Sequence, residues 1–136
     1  MITNADCTIY NKYLQSGSEK YQRTVIYDVT WENRKAANVL ASGGNIAANA
    51  ARVFILFERG ADYLKPKAWL ALVSKTGKWT LAEGDIVVKG VVTDEITGGF
   101  TITNLKAKYD DCFTVASVDT MDIDSECMWH WNVGLK

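Results

Sequence analysis

His130 is the single histidine of the 136-residue chain and the residue with the widest range of chemistry. A histidine beside a cysteine can lower the pKa of the thiol and so create a nucleophile, and Cys112 and Cys127 are the candidates. Strand alternation instead places His130 on the same face as Met128 and Asn132, and no signature of a cysteine hydrolase surrounds either thiol. We therefore interpret His130 as a structural or interface residue, and we expect no enzymatic activity and no cofactor.

Asp122, Asp124 and Glu126 alternate along the chain, a spacing that resembles a calcium-binding loop. Such a loop needs a glycine at its sharp turn and a more distant bidentate glutamate, and neither is present. One histidine and three scattered cysteines likewise show no zinc-ligand pairing. The pattern favours a solvated acidic loop, and the odd number of cysteines without a CxxC pair favours reduced thiols in a cytoplasmic product.

Tryptophan is unusually frequent, and its five positions are Trp31, Trp69, Trp79, Trp129 and Trp131. Aromatic side chains can stack on bases in an oligonucleotide-binding barrel, but such platforms lie in positively charged grooves. Trp129 and Trp131 instead follow the acidic loop, and the net charge of the chain is -1. Core packing or a subunit interface is the favoured interpretation, with Trp129, His130 and Trp131 as the candidate interface.

Charge is divided unequally between the two halves of the sequence. Residues 1–79 hold 11 Lys and Arg against 6 Asp and Glu, whereas residues 80–136 hold 4 against 10. The simpler interpretation is that the halves interleave in one fold and cancel. The alternative is a basic face and an acidic face that meet between neighbouring copies, as a head-to-tail ring requires. The first interpretation is favoured, because halves of a sequence are not faces of a fold.

The composition is that of one globular domain, with 48% hydrophobic and 23% charged residues. The longest clear apolar run, residues 53–57, is far shorter than a membrane-spanning helix requires. No basic segment followed by an apolar stretch opens the chain, so we expect no export signal.

The residues that organise the chain lie in the stretch around Gly84. A turn at residues 83–85 leads into a β-branched run, residues 86–92, that is too apolar to face water on either side. This run predicts a strand that is buried on both faces or that lines a small closed barrel. Gly90 predicts a bulge or a bend at a barrel corner. Trp79 and Leu81, just before the turn, are expected to plug the barrel.

Residues 24–32 show the most regular alternation of apolar and polar residues. The residues assigned to the buried face are Val25, Tyr27, Val29 and Trp31, and Ile26 is the one exception on the polar face. The pattern predicts a half-buried strand.

The remaining elements complete a mainly β fold. Further strands are predicted at residues 7–14, 51–57, 112–118 and 128–133, with a continuation of the sheet at 35–40. Residues 68–73 can form either a short strand or a helical turn after Pro66. A helix is predicted at residues 103–109 with Thr103 as its N-cap. We therefore predict a small single-domain β-barrel over residues 1–136, with one short helix and long loops.

Residues 41–49 form the most permissive backbone of the chain and are predicted to be an exposed, mobile loop. The residues assigned to its tip are Ser42, Gly43, Gly44 and Asn45. The glycine pair lacks the flanking residues of a phosphate-binding loop. We expect the loop to reorder on assembly, so that deletion of residues 42–48 leaves the monomer folded.

Three parts of the sequence carry a resemblance to a known family. They are residues 1–13 (Met-Ile-Thr-Asn-Ala-Asp-Cys-Thr-Ile-Tyr-Asn-Lys-Tyr), residues 79–90, which run from Trp79-Thr80-Leu81 through Gly84-Asp85-Ile86 to Gly90, and the ending, residues 113–120 with His130-Trp131-Asn132-Val133-Gly134. These segments resemble the head–tail joining proteins of long-tailed phages and prophages, also called head-closure, stopper or minor capsid proteins. The family's ending often carries a basic residue before the His-Trp pair and an acidic one after it, where this chain has Trp129 and Asn132.

The resemblance implies a small β-barrel that assembles as a homo-oligomeric ring between the portal-side adaptor and the tail, where it closes the DNA channel. The implied partners are other phage connector and tail proteins, and the implied location is the virion, after synthesis in the host cytoplasm. A monomer in solution is compatible with this, and neither sequence-specific nucleic-acid binding nor membrane association is implied. The alternatives are a tail-completion protein of similar fold and an oligonucleotide-binding β-barrel module.

Overall fold

The computed structural model describes residues 3–33, 51–123 and 125–136. It contains six strands: β1 (Ala5–Gln15), β2 (Ser18–Asn33), β3 (Ala51–Leu56), β4 (Ile86–Lys89), β5 (Cys112–Met121) and β6 (His130–Leu135). They close into a barrel in the order β1-β2-β3-β6-β5-β4. The prediction of a mainly β, barrel-shaped fold is confirmed.

The barrel has Greek-key connectivity in which every neighbouring pair is antiparallel. Strands β1 to β3 pair consecutively, and β4 returns to lie beside β1. Strands β4 to β6 pair consecutively in turn, and the β3–β6 pair joins the two sets. Each strand therefore has a partner on both sides over at least part of its length.

Strand β4 is buried on both faces, as predicted. Val87 points into the barrel, whereas Ile86 and Val88 belong to a second apolar cluster on its outer surface. The strand ends at Lys89 rather than extending through residue 92. Gly90 adopts a φ of +96° and donates its backbone N–H to the carbonyl of Asp6 at 2.7 Å, which bends the chain away from the sheet.

Trp79 and Leu81 are buried in the barrel interior, where they fill the space between the strands. The predicted plug is therefore confirmed. The other fully buried members of this core come from β1, β2, β3, β5 and β6; they include Cys7, Ile9, Val29, Val53, Ile55, Val115, Val133 and Leu135.

The predicted faces of β2 are wrong in its middle. Ile26 is buried and Tyr27 is 57% exposed, the reverse of the prediction. The register with β1 shifts between Ala5 and Cys7, and Asp28 adopts a φ of +56°. This bulge changes the alternation, so that Val29 is buried as predicted although Val25 is not.

The tip of the β1–β2 hairpin extends beyond the closed part of the barrel. Residues 11–15 of β1 pair with residues 18–22 of β2, whereas the pairing of β1 with β4 ends at Tyr10. We call residues 11–22 the hairpin arm. Its two-residue turn places Ser16 and Gly17 at φ values of +52° and +79°, as in the tight turns that join hairpin strands.

Two short helices accompany the barrel: α1 (Pro66–Leu70) and α2 (Ile102–Lys108). Residues 68–70 belong to α1, so the helical turn, and not the short strand, is the correct alternative for this segment. The N-cap of α2 is Thr101 rather than Thr103, since the Thr101 side chain accepts a hydrogen bond from the Asn104 N–H. No helix in the described ranges has the length and apolar content needed to cross a membrane.

The predicted loop tip Ser42, Gly43, Gly44 and Asn45 and the sheet continuation at residues 35–40 lie outside the described residues.

Candidate functional site

Four aromatic rings, those of Phe57, Tyr63, Trp79 and Trp131, meet at one end of the barrel. Trp131 lies at its centre, with ring centroids 4.3 Å from Tyr63, 4.4 Å from Phe57 and 5.6 Å from Trp79. Tyr63 and Trp79 also pair in a T-shaped arrangement at 5.2 Å. We call these four residues the aromatic cluster, and it fixes the connection after β3 onto the barrel.

Gly60 lies directly against this cluster. A Cβ atom at this position would be 2.5 Å from Cη2 of Trp131 and 3.1 Å from the carbonyl of Phe57. The backbone after β3 can therefore approach the indole only because residue 60 has no side chain.

A buried polar network attaches the segment containing Trp79 to β1. Asn11 Nδ2 donates to the Thr80 carbonyl at 2.7 Å and to Asp85 Oδ2 at 2.8 Å. Asp85 also accepts from the backbone N–H groups of Lys12 and Ala82. Burial raises the pKa of Asp85, although these three hydrogen bonds favour its ionised form. The network holds the plug in place across the barrel end.

The three candidate interface residues occupy different environments. Trp131 is buried within the aromatic cluster, whereas Trp129 and His130 are partly exposed. Trp129 contacts the Phe57 ring edge-on at 6.0 Å, and His130 contacts Phe54 at 5.6 Å. Trp129 and His130 can thus contribute to an outer surface, which Trp131 supports from beneath. Their role as an interface remains a prediction.

The structure does not bring Cys112 and His130 together. Cys112 pairs with Val88 at the start of β5, whereas His130 pairs with Met121 at the end of that strand. Nine residues of strand correspond to roughly 30 Å. His130 Nδ1 lies 2.9 Å from the Met128 carbonyl, which can only accept, so this nitrogen carries the proton.

The cysteines are free thiols in the structure. Burial raises the pKa of Cys7 to about 12 and that of Cys112 to about 11, so both are almost fully protonated at neutral pH. Cys127 is exposed, in the turn that precedes β6.

The acidic loop is shorter than predicted, because β5 continues to Met121. Asp122 and Glu126 are exposed, and Asp124 lies outside the described residues. Within the described ranges, no group of three or more His, Cys, Asp or Glu side chains has the arrangement of a metal site.

Four of the five tryptophans are buried. Trp31, Trp69, Trp79 and Trp131 are each at most 5% exposed, so they cannot stack on the bases of a bound strand without unfolding of the core. Core packing, one of the two favoured interpretations, holds for Trp31, Trp79 and Trp131, whereas Trp69 is buried outside the barrel core.

Residues 2–136 of the chain match the model of a protein family that is described as a family of unknown function (DUF6751). The chain belongs to this family of unknown function. No significant match was found among curated proteins or among solved structures.

One anchoring residue has a role that the sequence did not indicate. Trp69 of α1 is fully buried outside the barrel core, where it contacts Tyr13 of the hairpin arm edge-on at 5.7 Å. Lys75 Nζ lies over the rings of both Tyr13 and Trp69. These contacts hold residues 64–78 against the arm and leave an open groove of about 290 Å³ between Gln22 and residues 73–76. A helix of five residues has no periodicity from which this contact could be predicted.

Proposed function

We propose that the chain is a structural virion protein of a tailed phage or prophage, and that it forms or completes the head–tail connector ring that closes the DNA channel. The proposal has its origin in the resemblance of three sequence segments to head–tail joining proteins. It assigns the chain a role in assembly rather than in catalysis.

The observation that supports it most is where these segments lie in the fold. Residues 1–13 include most of β1, residues 79–90 contain the plug and β4, and residues 113–120 and 130–134 belong to β5 and β6. These four strands are consecutive neighbours in the order β6-β5-β4-β1. Segments that are distant in sequence thus form one continuous part of the barrel wall, as expected of a resemblance that extends to a shared fold.

A filled interior also fits a protein that acts through its outer surface. The barrel contains the side chains of Trp79, Leu81 and the inward-facing strand residues, which occupy the space that a ligand would need. A connector subunit needs only surfaces that contact its neighbours.

Particles released after prophage induction of the encoding strain provide the test. Mass spectrometry should detect the chain in purified virions, and immunogold labelling should place it at the junction of head and tail. Deletion of its gene should yield heads that lose their packaged DNA, because the channel is no longer closed. A deletion of the major tail protein gene is the control and should leave heads filled.

The outcome distinguishes the alternatives. Filled heads that lack tails after deletion would indicate a tail-completion protein. Absence from virions, together with salt-sensitive retention of the purified protein on single-stranded DNA, would contradict the proposal and favour an oligonucleotide-binding barrel.

A further inference from the structure

Exposed large apolar side chains concentrate in two regions of opposite charge. Seven such residues occur in the described ranges, and five of them lie in these regions: Leu14, Leu70, Val73, Ile123 and Met128. Large exposed apolar side chains that cluster among charges of one sign are typical of protein contact surfaces.

The first region, which we call the basic patch, consists of residues 64–78 and the neighbouring tip of β1. Residues 63–82 contain four lysines and no Asp or Glu. Lys65 and Lys67 are exposed beside Leu70, which is 53% exposed, and Val73 is fully exposed. Because the buried Trp69 anchors α1 to the hairpin arm, these side chains project from a fixed base.

The second region, which we call the acidic patch, consists of residues 119–123 and 125–128. The surrounding residues 109–135 contain six Asp and Glu and no Lys or Arg. Asp119, Asp122 and Glu126 are exposed around Ile123, which is 63% exposed. Trp129, from the predicted interface, follows the patch directly.

Lys78 pairs with Asp62 and Lys75 lies over two aromatic rings, but the other charges of the two patches remain available to a partner. In the part of the chain that the structure describes, none of the ion pairs involves Lys65, Lys67, Asp119, Asp122 or Glu126. Since one chain carries both members of a complementary pair of surfaces, the partner that fits each patch is a second copy of the chain.

We propose that the basic patch of one copy docks on the acidic patch of the next, with Leu70 and Val73 packed against Ile123. Two different surfaces form a heterologous contact, which generates a ring if the rotation closes and an open chain if it does not. The inference depends on the proposed function only for closure of that contact into a connector ring.

The exposed Cys127 of the acidic patch allows a direct test by disulfide cross-linking. In the full-length V73C variant under mild oxidation, the introduced cysteine should form a disulfide with Cys127 of another copy, identified as a cross-linked peptide by mass spectrometry. Head-to-tail linkage should produce a ladder of trimers and larger species. Raising NaCl from about 0.1 M to 1 M shortens the Debye length from about 10 Å to 3 Å and should suppress the ladder.

The V91C variant is the matched control, because Val91 is also a solvent-accessible valine, 49% exposed, but lies outside both patches. We expect V91C and the wild type to yield at most dimers linked through Cys127. Equal ladders from V91C and V73C, or a V73C disulfide within one chain, would contradict the proposed contact.

Charge reversal provides an independent test of the proposed contact. The K65E/K67E and D119K/D122K pairs, each introduced into V73C, should abolish the ladder, and the two pairs combined should restore it. Failure of the combined variant to restore the ladder, with each variant folded as judged by circular dichroism, would overturn the inference. Detection of the chain at the head–tail junction without this contact would leave the proposed function intact, whereas the ladder without virion incorporation would contradict that function alone.

Discussion

At the scale of single residues, Gly60 is the described glycine at which an added Cβ would lie closest to a neighbouring atom, 2.5 Å from the indole of Trp131. We predict that Gly60→Ala lowers the free energy of unfolding by about 2 kcal/mol, because the added methyl overlaps a ring that three other aromatics already hold in place. Urea unfolding monitored by tryptophan fluorescence measures the change.

Gly98→Ala is the control for that substitution, since a Cβ at Gly98 meets no atom within 4 Å. It should leave the free energy of unfolding unchanged or raise it by about 0.5 kcal/mol through the unfolded state. An equal loss in both variants would show that the contact with Trp131 is not the cause.

Asn11 supports a second prediction, because it is the side chain that bonds both the plug and Asp85. Asn11→Ala should cost about 3 kcal/mol at neutral pH, since it removes the donor to the Thr80 carbonyl, the acceptor of the Thr80 N–H and one of the two donors to Oδ2 of the buried Asp85. The exposed Gln15→Ala is the control and should cost little.

The cost of Asn11→Ala should depend on pH with a defined sign. The pKa of Asp85 is raised in the folded state, so the ionised carboxylate opposes folding above that pKa and this penalty disappears as the pH falls through it. Loss of the Asn11 donor raises the pKa further. The difference from wild type should therefore shrink as the pH is lowered, and a difference that grows in acid would contradict this account.

Single-residue environments could be predicted where alternation alone decides them. The opposite exposure of His130 and Trp131 follows from their adjacency in β6. The Asn11–Asp85 bond could not be predicted, because it joins residues 74 positions apart and depends on the closed barrel.

At the scale of elements, the start of α2 assigns the N-cap role to one of two threonines, Thr101 and Thr103, that the sequence pattern could not distinguish. Thr101→Ala should cost about 1 kcal/mol, because Thr101 and Asn104 form a reciprocal capping box. Thr103→Ala, at the position predicted as the cap, should cost only a few tenths. Thermal unfolding of the two variants under the same conditions measures the difference, and the opposite order would exclude the Thr101 cap.

The hairpin arm offers a paired prediction of opposite signs. Ser16 and Gly17 both adopt positive φ values, as in the turns for which Asn-Gly is preferred. Ser16→Asn should raise the free energy of unfolding by about 0.5 kcal/mol, whereas Gly17→Ala should lower it by about 1 kcal/mol. Because a Cβ at Gly17 meets no atom within 4 Å, the second effect tests backbone conformation alone. Chemical denaturation measures both, and equal signs would contradict the assigned turn.

Strand existence was predicted more accurately than strand faces and ends. The apolar run beginning at Ile86 indicated a buried strand whatever its neighbours in the sheet were. The bend at Gly90 was predicted, although the strand was expected to continue to residue 92. The bulge at Asp28 is a change of backbone conformation at one residue, which the alternation of residue types does not indicate, so the faces of β2 were predicted incorrectly.

At the scale of the whole molecule, the plug and the outer surface should respond differently to loss of an indole. Trp79→Ala should cost about 4 kcal/mol, because it empties the barrel end and removes two ring contacts. Trp129→Ala removes a partly exposed ring and should cost far less. Calorimetric unfolding of both variants measures this, and similar losses would contradict the assignment of Trp79 as the interior plug.

The closed-barrel architecture could be predicted from the sequence, but the order of the strands around it could not. Valine-rich runs, regular alternation and turn residues indicated a barrel, and Trp79 was placed in its interior. The separation of exposed apolar residues into two oppositely charged patches depends on side-chain exposure, which the unequal halves of the sequence only suggested.

The pairing of β1 with β4 constrains how the chain folds as it is synthesised. Tyr10 pairs with Ile86, and Ala51 pairs with Leu135, so these strand pairs cannot form until the later strands have been synthesised. Most of the barrel wall therefore has no stable pairing in a partly synthesised chain. Only the arm and its turn can form early from nearby residues. We expect the nascent chain to stay protease-sensitive until β6 has left the ribosomal tunnel, after which it becomes resistant in one cooperative step.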